Sequence, residues 1–433
     1  MKNIILKIFN NKIASNASWI ISGRIVQMLI SLIISMFTAR YLGPSNYGLI
    51  NYAAAYVAFF TSFSTLGLNA IIVKEYVENP KQEGLITGTT LVMRLCSSLV
   101  SIVAILAIVM LADYGEQTTI WVVTLYSIQV IFSAFDTFNF WFQSKLNSKY
   151  VSIASTIAII LVSLYKVYLL IEEKSIYWFA LSNSLDFAII AVILFYIYKK
   201  NNGPKVTFSI VKAKSLLFQS YHFILSGLMV AVYGYTDKIM IKHMIDVHEV
   251  GLYSTATAIC GMWVFVLNAI IDSMRPSIIQ ARKDSIERYE SRLTMLYSIV
   301  FYVSIFVSVV FLLLGRYVIL VLYGEAYLGA LPYLQIVTWY TAFSYLGVAR
   351  NIWIVCEKKQ YYLKYMYFWA AILNVSLNYF LISYIGGYGA AIASLITEIF
   401  TCILIPVFFV DLRRNNKLIF DAILLKKCIN YKN

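Results

Sequence analysis

The amino-acid sequence predicts an all-α integral membrane protein of about twelve transmembrane helices. They form two six-helix lobes related by a pseudo-twofold axis along the membrane normal. Three observations predict it. Continuously apolar stretches run from Trp19 to Val410 with short connections between them, and a hydrocarbon core about 30 Å thick is crossed by roughly 20 apolar residues at about 1.5 Å each. Hydrophobic residues make up 61% of the chain and charged residues 13%, about half the charged share of a soluble domain. The halves also repeat. Shifted by 212 positions, Asn139-Phe140-Trp141 falls on Asn351-Ile352-Trp353, Tyr150 on Tyr362, Lys166 on Asn378, Leu169 on Leu381 and Asp186 on Glu398. Tyr47-Gly48-Leu49 likewise resembles Val250-Gly251-Leu252.

Segment 1–17 sets Ile4, Ile5, Ile8, Phe9 and Ile13 against Lys2, Lys7 and Lys12, the pattern of a short amphipathic helix on the inner membrane surface. The first lobe, 18–198, holds spans at 18–39, 48–71, 86–111, 119–138, 150–171 and 176–198. Its first two spans are joined by the tight turn Leu42-Gly43-Pro44-Ser45-Asn46-Tyr47-Gly48, rich in the residues that punctuate helices. A basic linker, 199–215, carries Gly203-Pro204 and joins the lobes. The second lobe, 216–410, holds spans at 216–236, 251–273, 294–314, 331–354, 365–384 and 389–410. Ile385-Gly386-Gly387-Tyr388-Gly389 turns the chain between the last two, and Pro406 kinks the last. The C-terminal stretch 411–433 is a basic tail. The runs are continuous, not alternating, which excludes a β-barrel.

Charge sets the orientation. Of the 35 Lys and Arg residues, only Arg40, Lys174, Lys238, Lys242 and Arg316 fall in one set of connections, and Arg24, Arg94, Lys166 and Arg350 lie inside spans. The rest occupy the opposite set, with both termini, and positive connections stay inside. Both termini are therefore expected in the cytoplasm. The net charge of +14 is accounted for by this bias and by contact with anionic membrane lipids; no nucleic-acid partner is implied. The five cysteines, Cys96, Cys260, Cys356, Cys402 and Cys428, have no paired spacing and read as small packing residues. The chain has no GxxxxGK[ST] phosphate loop and no GxSxG, HExxH or GxGxxG motif. His222, His243 and His248 lack metal-ligand spacing. No cofactor is expected.

The informative residues are charges inside spans, each costing about 2.5 to 3.5 kcal/mol at a span centre. Arg24 and Arg94 lie toward the inner ends of the first and third spans. A guanidinium there matches phosphate oxygens in a two-pronged way, or snorkels to the head groups. Lys166 and Asp186 sit on antiparallel neighbouring spans and are placed to pair. Glu398 holds the depth of Asp186 in the second half with neutral Asn378 in place of Lys166; an acid without an adjacent base is a candidate for proton or sodium coupling. Arg350, near the inner end of its span, reads as a snorkelling or substrate-facing cation. Asp136 and Asp272 lie at inner span ends and are expected in solvent. Asp237 and Lys238 fall at the outer end of the seventh span, where the expected role is that of a gate or of a loop. The candidate set is Arg24, Arg94, Lys166 and Arg350 for an anionic substrate, and Asp186, Glu398, Asp237 and Lys238 for ion coupling or gating. A cavity lined by the four bases would attract an anion.

The chain resembles the O-antigen and capsule flippases, the polysaccharide-transporter branch of the multidrug/oligosaccharidyl-lipid/polysaccharide (MOP) export superfamily. The resemblance rests on Phe37-Thr38-Ala39-Arg40-Tyr41-Leu42-Gly43-Pro44 through Tyr47-Gly48-Leu49, on Val250-Gly251-Leu252-Tyr253, on Tyr323-Gly324-Glu325-Ala326-Tyr327, and on Gly387-Tyr388-Gly389-Ala390-Ala391 with Glu398. It implies a MATE-like fold, location in a bacterial inner membrane, and no enzymatic activity. The implied cargo is an oligosaccharide repeat unit on undecaprenyl diphosphate, moved from the cytoplasmic to the periplasmic leaflet by alternating access. A glycan polymerase and a chain-length regulator are the partners it implies. Arg24 corresponds in kind to an arginine that matters in related lipid-precursor flippases. The alternatives are a multidrug/cation antiporter of the same superfamily, which needs an acidic, aromatic-lined pocket, and a polymerase or ligase of lipid-linked glycans.

Overall fold

The computed structural model describes residues 12–425. Residues 1–11 of the expected surface segment and 426–433 of the tail lie outside the described residues. Every regular element among the described residues is helical, as lipid requires of a chain that must satisfy its own backbone groups. Ten helical segments among them are long and apolar enough to cross a membrane.

The chain groups into two compact units. The first comprises 12–42 and 49–231, and the second 43–48 and 232–425. The first unit contains α1 (Lys12–Ser64) outside its turn, α2 (Ile72–Glu78), α3 (Glu83–Ala112), α4 (Gln117–Ser127), α5 (Gln129–Ser133), α6 (Asp136–Ser144), α7 (Lys149–Ile171), α8 (Ile176–Lys200) and α9 (Ile210–Met244) as far as Ala231. The second contains the rest of α9, α10 (Val247–Asp284), α11 (Ile286–Leu322), α12 (Leu331–Cys356), α13 (Tyr362–Ile385), α14 (Tyr388–Ile399), α15 (Ile405–Phe408) and α16 (Arg413–Ile423). Spans expected at 18–39 and 48–71 are both carried by α1, which is interrupted at Gly43 (φ 70°, ψ 171°). Only glycine adopts that conformation freely, and Pro44 then suits the first turn of the resumed helix. The helix α12, at the expected tenth span, is not among the ten apolar segments; its buried face carries Thr338, Thr341 and Arg350.

The first unit packs around an aromatic cluster from α2, α6 and α8: Tyr76, Phe138, Trp141, Phe142 and Tyr198. Trp141 Nε1 donates to Glu83 Oε2 at 2.8 Å, and Lys145 pairs with the same carboxylate. The second unit packs around Tyr289, Tyr297, Leu346, Trp353, Ile405 and Ile419. Both repeat motifs thus deliver their tryptophan, Trp141 or Trp353, to the core of their own unit.

Residues of the other matched motif meet directly. A Cβ on Gly48 would lie 2.0 Å from the Val247 carbonyl oxygen, and one on Gly251 2.0 Å from that of Pro44. Only two glycines allow the turn 43–48 to seat on the start of α10. Tyr47 packs its ring against Tyr323 and Tyr327, with centroids 6.4 and 6.2 Å apart.

The linker 199–215 packs along the start of α3 in the first unit. Thr207 N donates to Gly84 O at 3.1 Å, Ser209 N to Thr89 Oγ1 at 3.2 Å, and Tyr198 Oη to Pro204 O at 2.6 Å. Gly84 and Gly88 admit it: a Cβ on either would lie 2.2 Å from a linker carbonyl. Beyond the linker's first half, Lys212 Nζ and Gln219 Nε2 donate to Glu75 at 2.6 and 3.0 Å.

Two outcomes are expected. Gly48→Ala lowers unfolding stability by about 1–3 kcal/mol through overpacking, whereas Gly261→Ala, a helical position with open space around it, is neutral or stabilising by up to about 1 kcal/mol; thermal unfolding in detergent reads both. Burial raises the Glu75 carboxyl, but the donors from Lys212 and Gln219 outweigh it and hold the group below the usual carboxylate range. A depressed folded value means the stabilisation is present above the unfolded value, near pH 4.3, and is lost as pH falls through the folded value. Glu75→Gln should therefore flatten the acid side of the stability profile below about pH 5.

Candidate functional site

The second unit encloses a cavity of about 160 Å³ built on α9, α10, α12, α13 and α14. Asp237 and Lys238 line it from α9 and Glu398 from α14. Asp237 is buried and accepts the Tyr253 hydroxyl and, at 2.8 Å, the backbone N–H of Lys238. The Tyr253 hydroxyl, its proton committed to Asp237, accepts from Ser394 Oγ at 3.4 Å. Glu398 takes a hydrogen bond from Ser344, with the Arg350 guanidinium within electrostatic range. A second polar chain runs through buried amides: Asn378 Nδ2 to Asn374 Oδ1 at 3.0 Å, and Asn374 Nδ2 to Thr397 Oγ1 at 3.4 Å. Tyr233 and Tyr340 complete an aromatic wall. The site is therefore an acidic, tyrosine-lined chamber that holds its own ammonium group.

Asp237 and Lys238 do not end their helix: they lie inside α9, which continues to Met244 as Ile239, Met240 and Ile241 resume the apolar run. Nor does Glu398 lack a basic neighbour: Lys238 shares its cavity and Arg350 acts on it. Both partners come from helices distant in sequence.

In the first unit, Arg94 is almost wholly enclosed. Its Nη2 donates to Asn69 Oδ1, its guanidinium lies 5.4 Å from the Phe140 ring centroid, and its Nε and Nη1 have no hydrogen-bond partner among the described residues. Asp136, expected in solvent, instead lines a cavity of about 60 Å³ with Asn139 and Ser155 and acts electrostatically on Arg94. Asp272 is exposed beside Arg275. Lys166 faces Asp186 electrostatically but donates to Asn183 Oδ1 at 3.3 Å, one helical turn before Asp186, whose Oδ1 has no partner among the described residues. Arg24 is exposed on α1. Arg350 is 3% exposed, so it does not snorkel: its Nη1 donates to the Thr401 and Cys402 carbonyls at 3.3 and 3.0 Å. None of the four basic candidates lines either cavity.

The sequence profile of the polysaccharide biosynthesis protein family matches residues 13–282. The chain belongs to this family. Among curated proteins no sequence matches it. Solved structures add the fold of this polysaccharide biosynthesis protein. An inward-facing multidrug resistance MATE family transporter of the MOP superfamily is 14% identical with a TM-score of 0.69, covering 91% of this chain and 96% of its own. The lipid II flippase MurJ, in an inward closed conformation, is 13% identical with a TM-score of 0.68, covering 96% and 93%. A MOP superfamily transporter from Pyrococcus furiosus is 13% identical with a TM-score of 0.54, covering 94% and 96%. At these identities the likeness is one of fold, and the fold is that of the MOP superfamily.

Tyr253→Phe removes one of the two donors to Asp237. It is expected to lower stability by about 1–3 kcal/mol, and Asp237→Asn in the same background should recover part of the loss, because a neutral amide is less costly to bury. Thermal unfolding of the single and double variants checks this.

Proposed function

We propose that this polysaccharide biosynthesis protein is a flippase for lipid-linked oligosaccharide, carrying the head group from the cytoplasmic to the periplasmic leaflet of the bacterial inner membrane by alternating access. The family membership of residues 13–282 carries the reading, and the MOP fold supports it. The cargo suggested is a repeat unit for O-antigen or capsule on undecaprenyl diphosphate. Its diphosphate is the group that hydrocarbon resists most. Arg24, the exposed guanidinium on α1, is the residue suited to contact it directly. Arg94 and Lys166, enclosed in the first unit, contribute through their field. Asp237, Lys238 and Glu398 form the ion-coupling chamber, and Asp186 a second acid beside Lys166. Loading the chamber with a proton or Na⁺ would change its charge balance, and coupling to a gradient needs such a change. Anionic lipids hold the basic connections, and a polymerase and chain-length regulator take the delivered unit.

The acidic, tyrosine-lined chamber favours a second reading, cation antiport. Lys238 within it weighs against a cationic cargo there. The deciding experiment is the sidedness of lipid-linked oligosaccharide in cells lacking the gene, read with an impermeant glycan probe. Intact units trapped on the cytoplasmic leaflet, released by the wild-type chain but not by Arg24→Ala, are expected. Normal delivery without the gene, with altered sensitivity to cationic drugs, would overturn the flippase reading in favour of antiport.

A further inference from the structure

The last span breaks at Pro406, which has no N–H. Neither Cys402, four residues back, nor Thr401, five back, can receive the usual backbone donor. The helix α14 accordingly widens into a π turn over Phe400–Leu404, closed by the Ile405 N–H on the Phe400 carbonyl. The next three carbonyls are satisfied from outside the helix. Arg350 of α12 takes Thr401 O and Cys402 O, and Asn416 Nδ2 of α16 takes Ile403 O at 2.9 Å. Both side chains are buried, at 3% and 4% exposure. Pro406 leaves the Cys402 carbonyl without its α-helical donor, and lipid supplies no substitute for a missing partner.

The turn begins two residues after Glu398. The Thr401 hydroxyl bonds the Thr397 carbonyl at 2.7 Å, and Thr397 and Glu398 both line the cavity. One residue of α-helix is about 100° of rotation. Closing the π turn to an α turn would swing α14 by about that angle relative to α15 and take Glu398 off the chamber. Packing fixes the far side, since Ile405, Leu412, Leu418 and Ile419 belong to one core cluster.

We propose that Arg350 and Asn416 are positioning residues, a two-sided clamp that holds the π turn open and so aims Glu398 into the chamber of the second unit. This deepens the coupling role suggested for Glu398 and rests on that reading only for its transport consequence; because Arg350 also acts electrostatically on Glu398, the labelling readout is decided by the neutral Asn416→Ala variant, and Arg350→Gln is decided by the unfolding midpoints.

The experiment is a cycle on the full-length protein: Arg350→Gln, Pro406→Ala and the double variant, with Asn416→Ala as a milder single. One readout is the thermal unfolding midpoint. The other is the rate at which a hydrophobic carbodiimide labels Glu398 at fixed pH, measured by mass spectrometry, with Glu398→Gln as the unlabelled control. Alanine at 406 restores an N–H, so Arg350 becomes dispensable. Arg350→Gln is expected to lower the midpoint in the native background and to have at most half that effect with Pro406→Ala. Labelling should change by about fivefold in Asn416→Ala, the shift that one net hydrogen bond gives to an opening equilibrium. If Arg350→Gln alone fails to fold, the double variant should still fold. Equal midpoint losses in both backgrounds, unchanged labelling in a folded Asn416→Ala, or a double variant that cannot fold would each overturn the clamp.

Discussion

A backbone carbonyl left without a donor in hydrocarbon costs several kcal/mol, and most of the unusual features of this chain answer to that constraint. Where helices run unbroken the cost never arises. Where a span breaks, at Pro406, three successive carbonyls are taken by Arg350 and Asn416. Outside the spans, the turn at Gly43 and Pro44 seats against α10 through Gly48 and Gly251, and the linker's Thr207 and Ser209 N–H groups are taken by Gly84 and Thr89. Irregular backbone at membrane depth is tolerated only where protein encloses it, and the π turn is enclosed by α12 and α16 and lies next to the chamber.

The buried charges obey the same economy of partners. Arg94 has an amide, a ring and the field of Asp136. Lys166 has Asn183 and the field of Asp186. Asp237 has a tyrosine hydroxyl and a backbone N–H. Among the charged side chains of the described residues, the buried atoms without a hydrogen-bond partner include two guanidinium nitrogens of Arg94, Oδ1 of Asp186 and Nε of Arg350. Groups left short in this way are where added charge or water has most effect.

The helical membrane class, the turn at Gly43-Pro44 and the kink at Pro406 were legible because each is written in adjacent residues. The interior of the site was less so. Hydropathy ends the seventh span before Asp237 and Lys238, since two charges in sequence lower any window average; the structure carries the helix on through Ile239–Ile241 because Tyr253, on another helix, satisfies Asp237. Arg350 reads as a snorkelling cation from its depth alone. Its acceptors lie some fifty residues on, at Thr401 and Cys402, and Pro406 is the local signal that could have found them: a proline in a span leaves carbonyls that some side chain must serve. Asn416, Asn374 and the chamber tyrosines carried no local signal, because amide and phenol groups are common in such sequences and only tertiary contact selects the ones that matter.

The central claim, movement of a lipid-linked glycan across the bilayer by a protein that meets its diphosphate with Arg24, is tested most directly by purified protein in vesicles. A short-chain polyprenyl-diphosphate oligosaccharide would be loaded in both leaflets and its glycan exposure monitored with an impermeant oxidant. Protein-dependent exposure of the inner-leaflet pool, lost in Arg24→Ala and retained in Gly261→Ala, is the expected result. Exposure limited to the outer leaflet with folded wild-type protein, under imposed proton and sodium gradients of either sign, would contradict the flippase assignment.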